Sequence, residues 1–528
     1  MLLNTENNSI FYGRLGTIWL WLTTLGVLSL IALIGFSQPQ LALQSYFLLG
    51  VLVPLGLLVW FKPEFGLVGL IFLCASIVQP DVVDIRLPIG GGLDLRDLVL
   101  IGLIGLALVR GLAWGTLSLP WIAVGGPLLL FLILAFISAA NALVYENVPT
   151  NWAMNDLRIL LYYSLFFLTA WNIQSLKQLS NLLLGLLCIA NLTAAVVIIQ
   201  QFRGADNLLF SSMEYGQWQV WAQEDGTVRV VPPGHVLIHF MMVVSFGLAI
   251  FNRDSLARRC IFGIQFLLLA VGQIFTFTRA GWVASFVSLL IVVCVFGIRY
   301  RRYLPQFFVV SLALFFVLGS GIGLAVEFDL VEFDYSSSIQ ERFATLLTPQ
   351  ETLNSYSLQW RLFEIEKASE AIRSNPLAGV SLGNAYRNIT TFQGEASGLW
   401  TDGDLSAGTI SRYTRYIHSS YISLATKMGI PGITAFLWFA LSFIILGIGL
   451  YRRAKNIQMK ALILTIVAGF IGLLQWSIFH AWLIETESTS VIGIMTGIVA
   501  ALYAIHLKNE HIERNKTSNS LLSNIIGF

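Results

Sequence analysis

Charge is scarce in this sequence: lysine, arginine, aspartate and glutamate make up 11% of its 528 residues, against about 25% in soluble globular proteins. That shortage excludes an ordinary water-soluble domain and leaves membrane composition. The net charge of +2 is uninformative, because the charges are segregated along the chain, and nucleic acid is not an expected partner. Cysteine is rarer still. Cys74, Cys188, Cys260 and Cys294 each fall inside an apolar run, which argues against a disulfide framework or a thiolate metal site and reads them as small core hydrophobes. No repeat or low-complexity tract stands out. The first apolar run follows a polar start and lacks a small-residue cleavage pattern, so it reads as a retained span.

What is abundant is apolar: 56% of residues are hydrophobic and 13% aromatic, with a mean hydropathy of +0.76. Runs of roughly 17–24 apolar residues suffice to cross about 30 Å of hydrocarbon. About fourteen occur, near 16–36, 43–61, 65–79, 97–113, 121–144, 157–173, 180–202, 233–251, 260–277, 281–298, 305–326, 430–451, 459–480 and 488–507. The basic clusters Arg253/Arg258/Arg259, Arg299/Arg301/Arg302, Arg452/Arg453/Lys455 and Lys508/Arg514/Lys516 then share one side. By the positive-inside rule that side is cytoplasmic, as are both termini. The expected fold is an all-α integral membrane protein of about fourteen transmembrane helices with a long, partly helical extracytoplasmic loop. It divides into a multi-span region at 1–326, the loop at 327–429, further spans at 430–507 and a cytoplasmic tail at 508–528.

The outer face on this map carries the loops 80–96 and 203–232, a tight turn at 278–280, and the long segment 327–429, which includes the acidic stretch Glu327–Tyr335. Within "QIFTFTRAGWVASF" (Gln273–Phe286), Arg279 falls at the tip of the turn, either snorkelling to headgroups or serving a site, with Trp282 as an interfacial belt residue. In "SLQWRLFEIEKASEAIRSNP" (Ser357–Pro376), Leu358, Leu362, Ile365, Ala368 and Ile372 recur at helical spacing. That predicts an amphipathic helix lying on the membrane domain, with Arg361 near its start and Glu366, Glu370 and Arg373 pairing along a solvated face. "PLAGVSLGNAY" (Pro376–Tyr386) reads as a turn whose backbone lets a ligand approach. His418 heads a short helix ending at Gly429-Ile-Pro431; it is either a hydrogen-bonded interfacial histidine or a group able to take a proton from a hydroxyl. His480, His506 and His511 have no such setting. His235 and His239 are spaced for a metal but lack nearby carboxylates. The triplets Asp402-Gly-Asp404, Glu327-Phe-Asp329 and Glu332-Phe-Asp334 are candidates for metal-assisted chemistry, but such triplets are common in acidic loops. Without a metal, diphosphate charge must be met by arginines, whose forked donors fit phosphate oxygens.

Three segments, in this order, resemble the O-antigen ligase and polymerase superfamily: "FTRAGWVAS" (Phe277–Ser285), "WRLFEIEKASEAIRSNPLAGVSLGNAY" (Trp360–Tyr386) and "HSSYISLATKMGIPGITAFL" (His418–Leu437). The resemblance covers about 265–450. It implies a GT-C-like glycosyltransferase of the bacterial inner membrane that works without metal or cofactor. Such enzymes move a glycan from undecaprenyl diphosphate, on the outer face, to a hydroxyl of a glycan, lipid or protein acceptor. Carried over, Arg279 and Arg361 hold the donor diphosphate, His418 deprotonates or orients the acceptor hydroxyl, and Arg158 and Arg229 complete the phosphate site. Two departures bear on the acceptor side: Ser419 stands where asparagine is frequent, and Thr390–Arg415 is an insert rich in Gly, Ser, Thr and Asp. A small-anion (bicarbonate-like) transporter and a non-catalytic subunit of a polysaccharide export system are the competing readings. The first expects internal repeats and mid-membrane charge, which the spans lack.

Overall fold

The computed structural model of the protein describes residues 56, 58–75, 93–114, 123–203, 219–222, 228–251, 255–299, 356–387 and 414–526. The described chain is almost wholly helical. Its helices are α1 (Pro63–Cys74), α2 (Leu95–Trp114), α3 (Gly125–Val144), α4 (Thr150–Leu161), α5 (Leu165–Asn172), α6 (Leu176–Arg203), α7 (His235–Phe251), α8 (Leu256–Phe275), α9 (Arg279–Arg299), α10 (Tyr356–Ser374), α11 (Ser420–Arg453), α12 (Ile457–Trp476) and α13 (Thr486–Ile526). A two-stranded antiparallel ribbon precedes α7, pairing β1 (Gln219–Ala222) with β2 (Val228–Val231).

Six described helices are long and apolar enough to cross a membrane: α3, α6, α8, α11, α12 and the Thr486–Glu510 part of α13. Shorter apolar helices are α1, α7 and the Arg279–Val295 part of α9. The spans expected near 16–36 and 305–326, most of 43–61, the acidic stretch Glu327–Tyr335 and nearly all of the Thr390–Arg415 insert lie outside the described residues. The span expected at 157–173 is instead α4 and α5 joined by a 3-10 turn at Tyr162–Ser164. The tail expected from 508 continues α13 to Ile526, as a stretch without glycine or proline before Gly527 allows.

α7 is the central post. Every residue from His235 to Gly247 is buried, and it packs against α6, α8, α9, α12 and α13. Helices close to this distance only where one side is small. A Cβ on Gly472 of α12 would meet the Ala284 carbonyl of α9 at 2.5 Å, and one on Gly493 of α13 would meet the Tyr162 carbonyl at 2.8 Å. Beside the post, Phe131, Tyr163, Phe436 and Phe439 meet edge to face with centroids 5.6–6.1 Å apart, the preferred quadrupole geometry. The Tyr163 hydroxyl, buried among them, donates to the Leu483 carbonyl at 2.9 Å. Of the four thiols only Cys74 is in the core; Cys188, Cys260 and Cys294 face outward from the described bundle, because the runs that hold them are apolar on their outer faces too.

α11 is bent where its sequence requires it. Gly429 has φ 68° and ψ −175°, backbone open in practice only to glycine, and Pro431 follows. A Cβ on Gly429 would lie 2.3 Å from the Leu377 carbonyl, and one on Gly379 (φ 69°) would lie 2.5 Å from the Thr426 carbonyl. The segment after α10 is thereby clasped to the bend, with Val380 N–H donating to Thr426 O (2.8 Å) and Ile430 N–H to Pro376 O (2.8 Å). The glycines of 376–383 therefore serve contact between backbones of this chain, not the approach of a ligand. Gly429→Ala is expected to destabilise the protein by at least about 1–3 kcal/mol from backbone strain alone. Thermal unfolding in detergent would show it as a lowered midpoint, and an unchanged midpoint would rule the clasp unimportant.

Candidate active site

The Thr-Arg turn is built from local hydrogen bonds. α8 ends at Phe275; Thr276 Oγ donates to Gln273 O (2.7 Å), Phe277 takes φ 49°, and Trp282 N–H donates to Thr278 O (3.1 Å) as α9 begins. The turn falls where expected, but Trp282 is no belt residue. It is 7% exposed, and its indole N–H donates to Gln273 O at 3.3 Å, as a buried indole requires. Arg279 opens α9, half-buried, with no hydrogen bond or ion pair among the described residues. A cation at the positive end of a helix is unfavourable for stability; an anion there would relieve both charges.

The first turn of α9 rests on a buried aromatic cluster. A Cβ on Gly281 would touch Trp476 Cζ2 at 2.7 Å. Around fully buried Trp476 stand His235, edge-on at 4.6 Å, Trp482 at 5.0 Å and His480 at 6.3 Å, with His480 stacked on Trp482 at 5.8 Å and 28°. The same connection between α12 and α13 anchors the start of α11. Ser420 N–H donates to Ser477 O (3.1 Å), Ser420 Oγ donates to His480 O (2.7 Å), and Leu483 N–H donates to Ser420 Oγ (3.1 Å). His418 lies two residues before that anchor.

α10 supplies the remaining side chains, and its buried face is turned from the expected one: Ala368 is inward as expected, Leu362 and Ile365 are not. Leu362 and Ile365 are 54% and 37% exposed, whereas Trp360, Glu364, Ala368 and Ala371 are buried. Along its outer side the pair formed is Lys367–Glu370 (3.7 Å), in place of one through Arg373. The apolar spacing was real, but polar contacts decided the face. Glu364, 1% exposed, accepts from Trp360 Nε1 at 2.9 Å, and from His418 N–H at 3.1 Å and Nδ1 at 2.8 Å. The His418 ring stands edge-on to Tyr416 at 5.1 Å and keeps part of its surface exposed. Arg387 spreads over Trp360, Phe363 and Tyr386 at 5.1–5.2 Å.

Electrostatics ties these parts together. Burial pushes the Arg361 guanidinium below its usual range, opposed by Glu364 and Tyr416. Burial, then the charges of Arg361, Arg229, His418 and His235, hold His480 well below the usual histidine value, so it stays neutral. Arg361, Arg229 and His418 thus act electrostatically on one imidazole, and the Arg279 turn adjoins the same cluster through Gly281 and Trp476. Arg158 is elsewhere: it donates to Asp97 Oδ2 (2.9 Å) and to Asn155, within a network that also joins Arg96 to Asp94 (2.6 Å) and Glu487 (3.3 Å). Its charge is already met by a carboxylate.

His235 and His239 do not form a site together. His239 donates from Nε2 to Gly469 O (3.0 Å) and meets Ser285 Oγ at 3.1 Å, a satisfied core histidine. No three His, Cys, Asp or Glu side chains gather for a metal among the described residues. Asp402, Asp404 and the other acidic triplets lie outside those residues. Glu364, His480 and Arg387 escaped sequence reasoning. Glu364 had a signal, a carboxylate one helical turn past Trp360 on the side that Ala368 and Ala371 continue; the other two had none.

The two ends of the bundle differ. Arg258, Asn456 and Gln458 line an apolar groove between α6, α7, α8 and α12 at the end opposite the aromatic cluster. The 20 residues of α12 separate them by roughly 30 Å. No curated protein matches the chain. Residues 264–437 match the family model described as O-antigen ligase, so this part of the chain, which takes in the Thr-Arg turn, α10, the glycine clasp and the His418 start of α11, is similar to that family.

Proposed function

We propose that the protein is a glycosyltransferase of the bacterial inner membrane that moves a glycan from undecaprenyl diphosphate to an acceptor hydroxyl on the outer face. The observation that carries this reading is the bonding of Glu364 on α10 to His418 and of Ser420 to the His480 connection, which joins the Arg361 helix, His418 and the aromatic cluster under the Arg279 turn, at the end of the bundle away from the basic Arg258 end. The family match supports the reaction class.

In the reaction, the acceptor oxygen attacks the anomeric carbon and a new C–O bond forms. The old C–O bond breaks with its electron pair going to the lipid diphosphate, and the hydroxyl proton passes to His418. Negative charge therefore grows on the departing diphosphate. Arg279, Arg361 and Arg229 are assigned to it, because fixed guanidinium groups stabilise charge that develops in the transition state without reorganising. Arg158 is assigned to holding α4 on α2 through Asp97. Two lipid-anchored substrates at one membrane edge also gain from being held in register.

With arginines meeting the diphosphate charge, no divalent ion is needed. Purified protein given a lipid-diphosphate glycan and an acceptor is expected to release undecaprenyl diphosphate equally well with and without EDTA. Release abolished by chelator and restored by Mg²⁺ or Mn²⁺ would return the role to the acidic triplets such as Asp402 and Asp404. Polysaccharide from a deletion strain separates the two variants of the activity: lost long chains mark a polymerase, and accumulated unattached lipid-linked chains mark a ligase.

A further inference from the structure

We infer that Glu364 is a positioning residue for His418, fixing which ring nitrogen meets the acceptor. This rests on the reading of His418 as the proton acceptor. A carboxylate is costly to bury unless its oxygens are bonded. Glu364 is 1% exposed and both its oxygens are engaged: Oε1 by Trp360 Nε1 at 2.9 Å, Oε2 by His418 Nδ1 at 2.8 Å and by the His418 backbone N–H at 3.1 Å.

The helix that carries Glu364 sets it within its buried face, between Trp360 and Ala368. Leu362 and Ile365 turn outward so that Glu364 can turn inward. Local rules are broken in this way where function sets the requirement.

The chemistry follows from the donor inventory. An ionised carboxylate only accepts, so the proton of the neutral imidazole resides on Nδ1 and the lone pair on Nε2. Nε2 is then the atom able to receive the acceptor proton, on the part of the ring that Glu364 leaves exposed. Once the proton arrives, the imidazolium faces a carboxylate already desolvated and in place. Trp360 sets the carboxylate plane, and Tyr416 limits rotation of the ring from its edge, at 5.1 Å. The arrangement has the logic of a histidine oriented by a buried acid, built here between a loop helix and the entry to a membrane helix.

The test uses the full-length protein in nanodiscs. Glu364→Gln keeps the shape and an accepting oxygen but removes the charge. It is expected to lower kcat by ~10²–10³-fold, within the usual range for acid–base contributions, with the donor KM nearly unchanged. Glu364→Asp is expected to recover part of the loss. With ¹⁵N-histidine labelling, His418 is expected to carry its proton on Nδ1 in the unmodified protein and as a mixture of tautomers in Glu364→Gln. Glu364→Gln combined with His418→Ala is expected to be no slower than His418→Ala alone, since residues acting as a unit are non-additive.

Should Glu364→Gln fail to fold, Trp360→Phe removes one bond to the carboxylate without touching its charge, and the same tautomer mixing is expected. A wild-type rate for Glu364→Gln, or a His418 proton on Nε2 in the unmodified protein, overturns the inference while a slow His418→Ala leaves the proton-acceptor reading intact. A fully active His418→Ala overturns that reading itself.

Discussion

His418→Ala is expected to slow glycan transfer by ~10²–10⁴-fold, the span typical of a lost general base, in a protein that still folds and inserts with a lowered unfolding midpoint, because buried Glu364 loses its bond from Nδ1. The fold should survive because Glu364 keeps the bonds from Trp360 and from the residue 418 backbone N–H, and the start of α11 is also secured by Ser420 through Ser477 O and His480 O. The ring is partly exposed, so its loss opens no sealed cavity. The rate should not fall to the uncatalysed level, since the guanidinium groups and the alignment of substrates remain. The measurement is undecaprenyl diphosphate released per enzyme, with donor KM followed separately. A parallel rise in KM without a fall in kcat would make His418 a binding residue, and wild-type release would return the chain to a non-catalytic subunit.

Arg279→Ala is expected to cost ~10²–10³-fold in kcat, comparable with removing one fixed donor from a site that stabilises developing charge. Arg361 stands close to Glu364 and Tyr416, which offset its charge, whereas Arg279 has neither ion pair nor hydrogen bond among the described residues. In the proposed site its charge is therefore the less offset of the two. Arg279→Lys restores a point charge but not the fork that grips two phosphate oxygens, so it should recover the reaction only in part. Because Arg279 also opposes the α9 dipole, its removal should leave stability unchanged or slightly raised. Lost activity together with a raised unfolding midpoint would separate a functional arginine from a structural one. A lowered midpoint with unchanged transfer would make Arg279 a membrane anchor.

Much of this was readable in the chain. The near absence of charge from the apolar runs marked six of the about fourteen expected spans as helices long enough to cross, the Gly429-Ile-Pro431 stretch gave the break in α11, and the Thr-Arg turn appeared where the apolar run was split. What misled was the step from spacing to facing. Leu362 and Ile365 lie at core spacing, yet α10 rolls to engage Glu364 with His418, a partner 54 residues away that periodicity does not see. His480 looked bland because its setting is made by Trp476, Trp482, Arg361 and Arg229, which come from three separate parts of the chain. The glycines after Pro376 suggested room for a ligand, since a sequence shows that a side chain is missing but not what fills its place. Arg158 and Arg361 read alike as outer-face arginines; only the Asp97 carboxylate at 2.9 Å tells them apart.

Two ties bind α10 to α11, one at each end. Glu364 grips His418 near the start, and the backbones of Gly379 and Gly429 interlock beyond the finish. Like two bars of a frame fastened at both corners, they resist sliding past each other, which holds Arg361 and His418 in one register. Arg279 belongs to another hairpin, whose Gly281 rests on Trp476 of α12. In the proposed reaction, a lipid substrate entering sideways from the bilayer would thus meet a doubly fastened wall at α10 and α11 and a separate one at the α8–α9 hairpin.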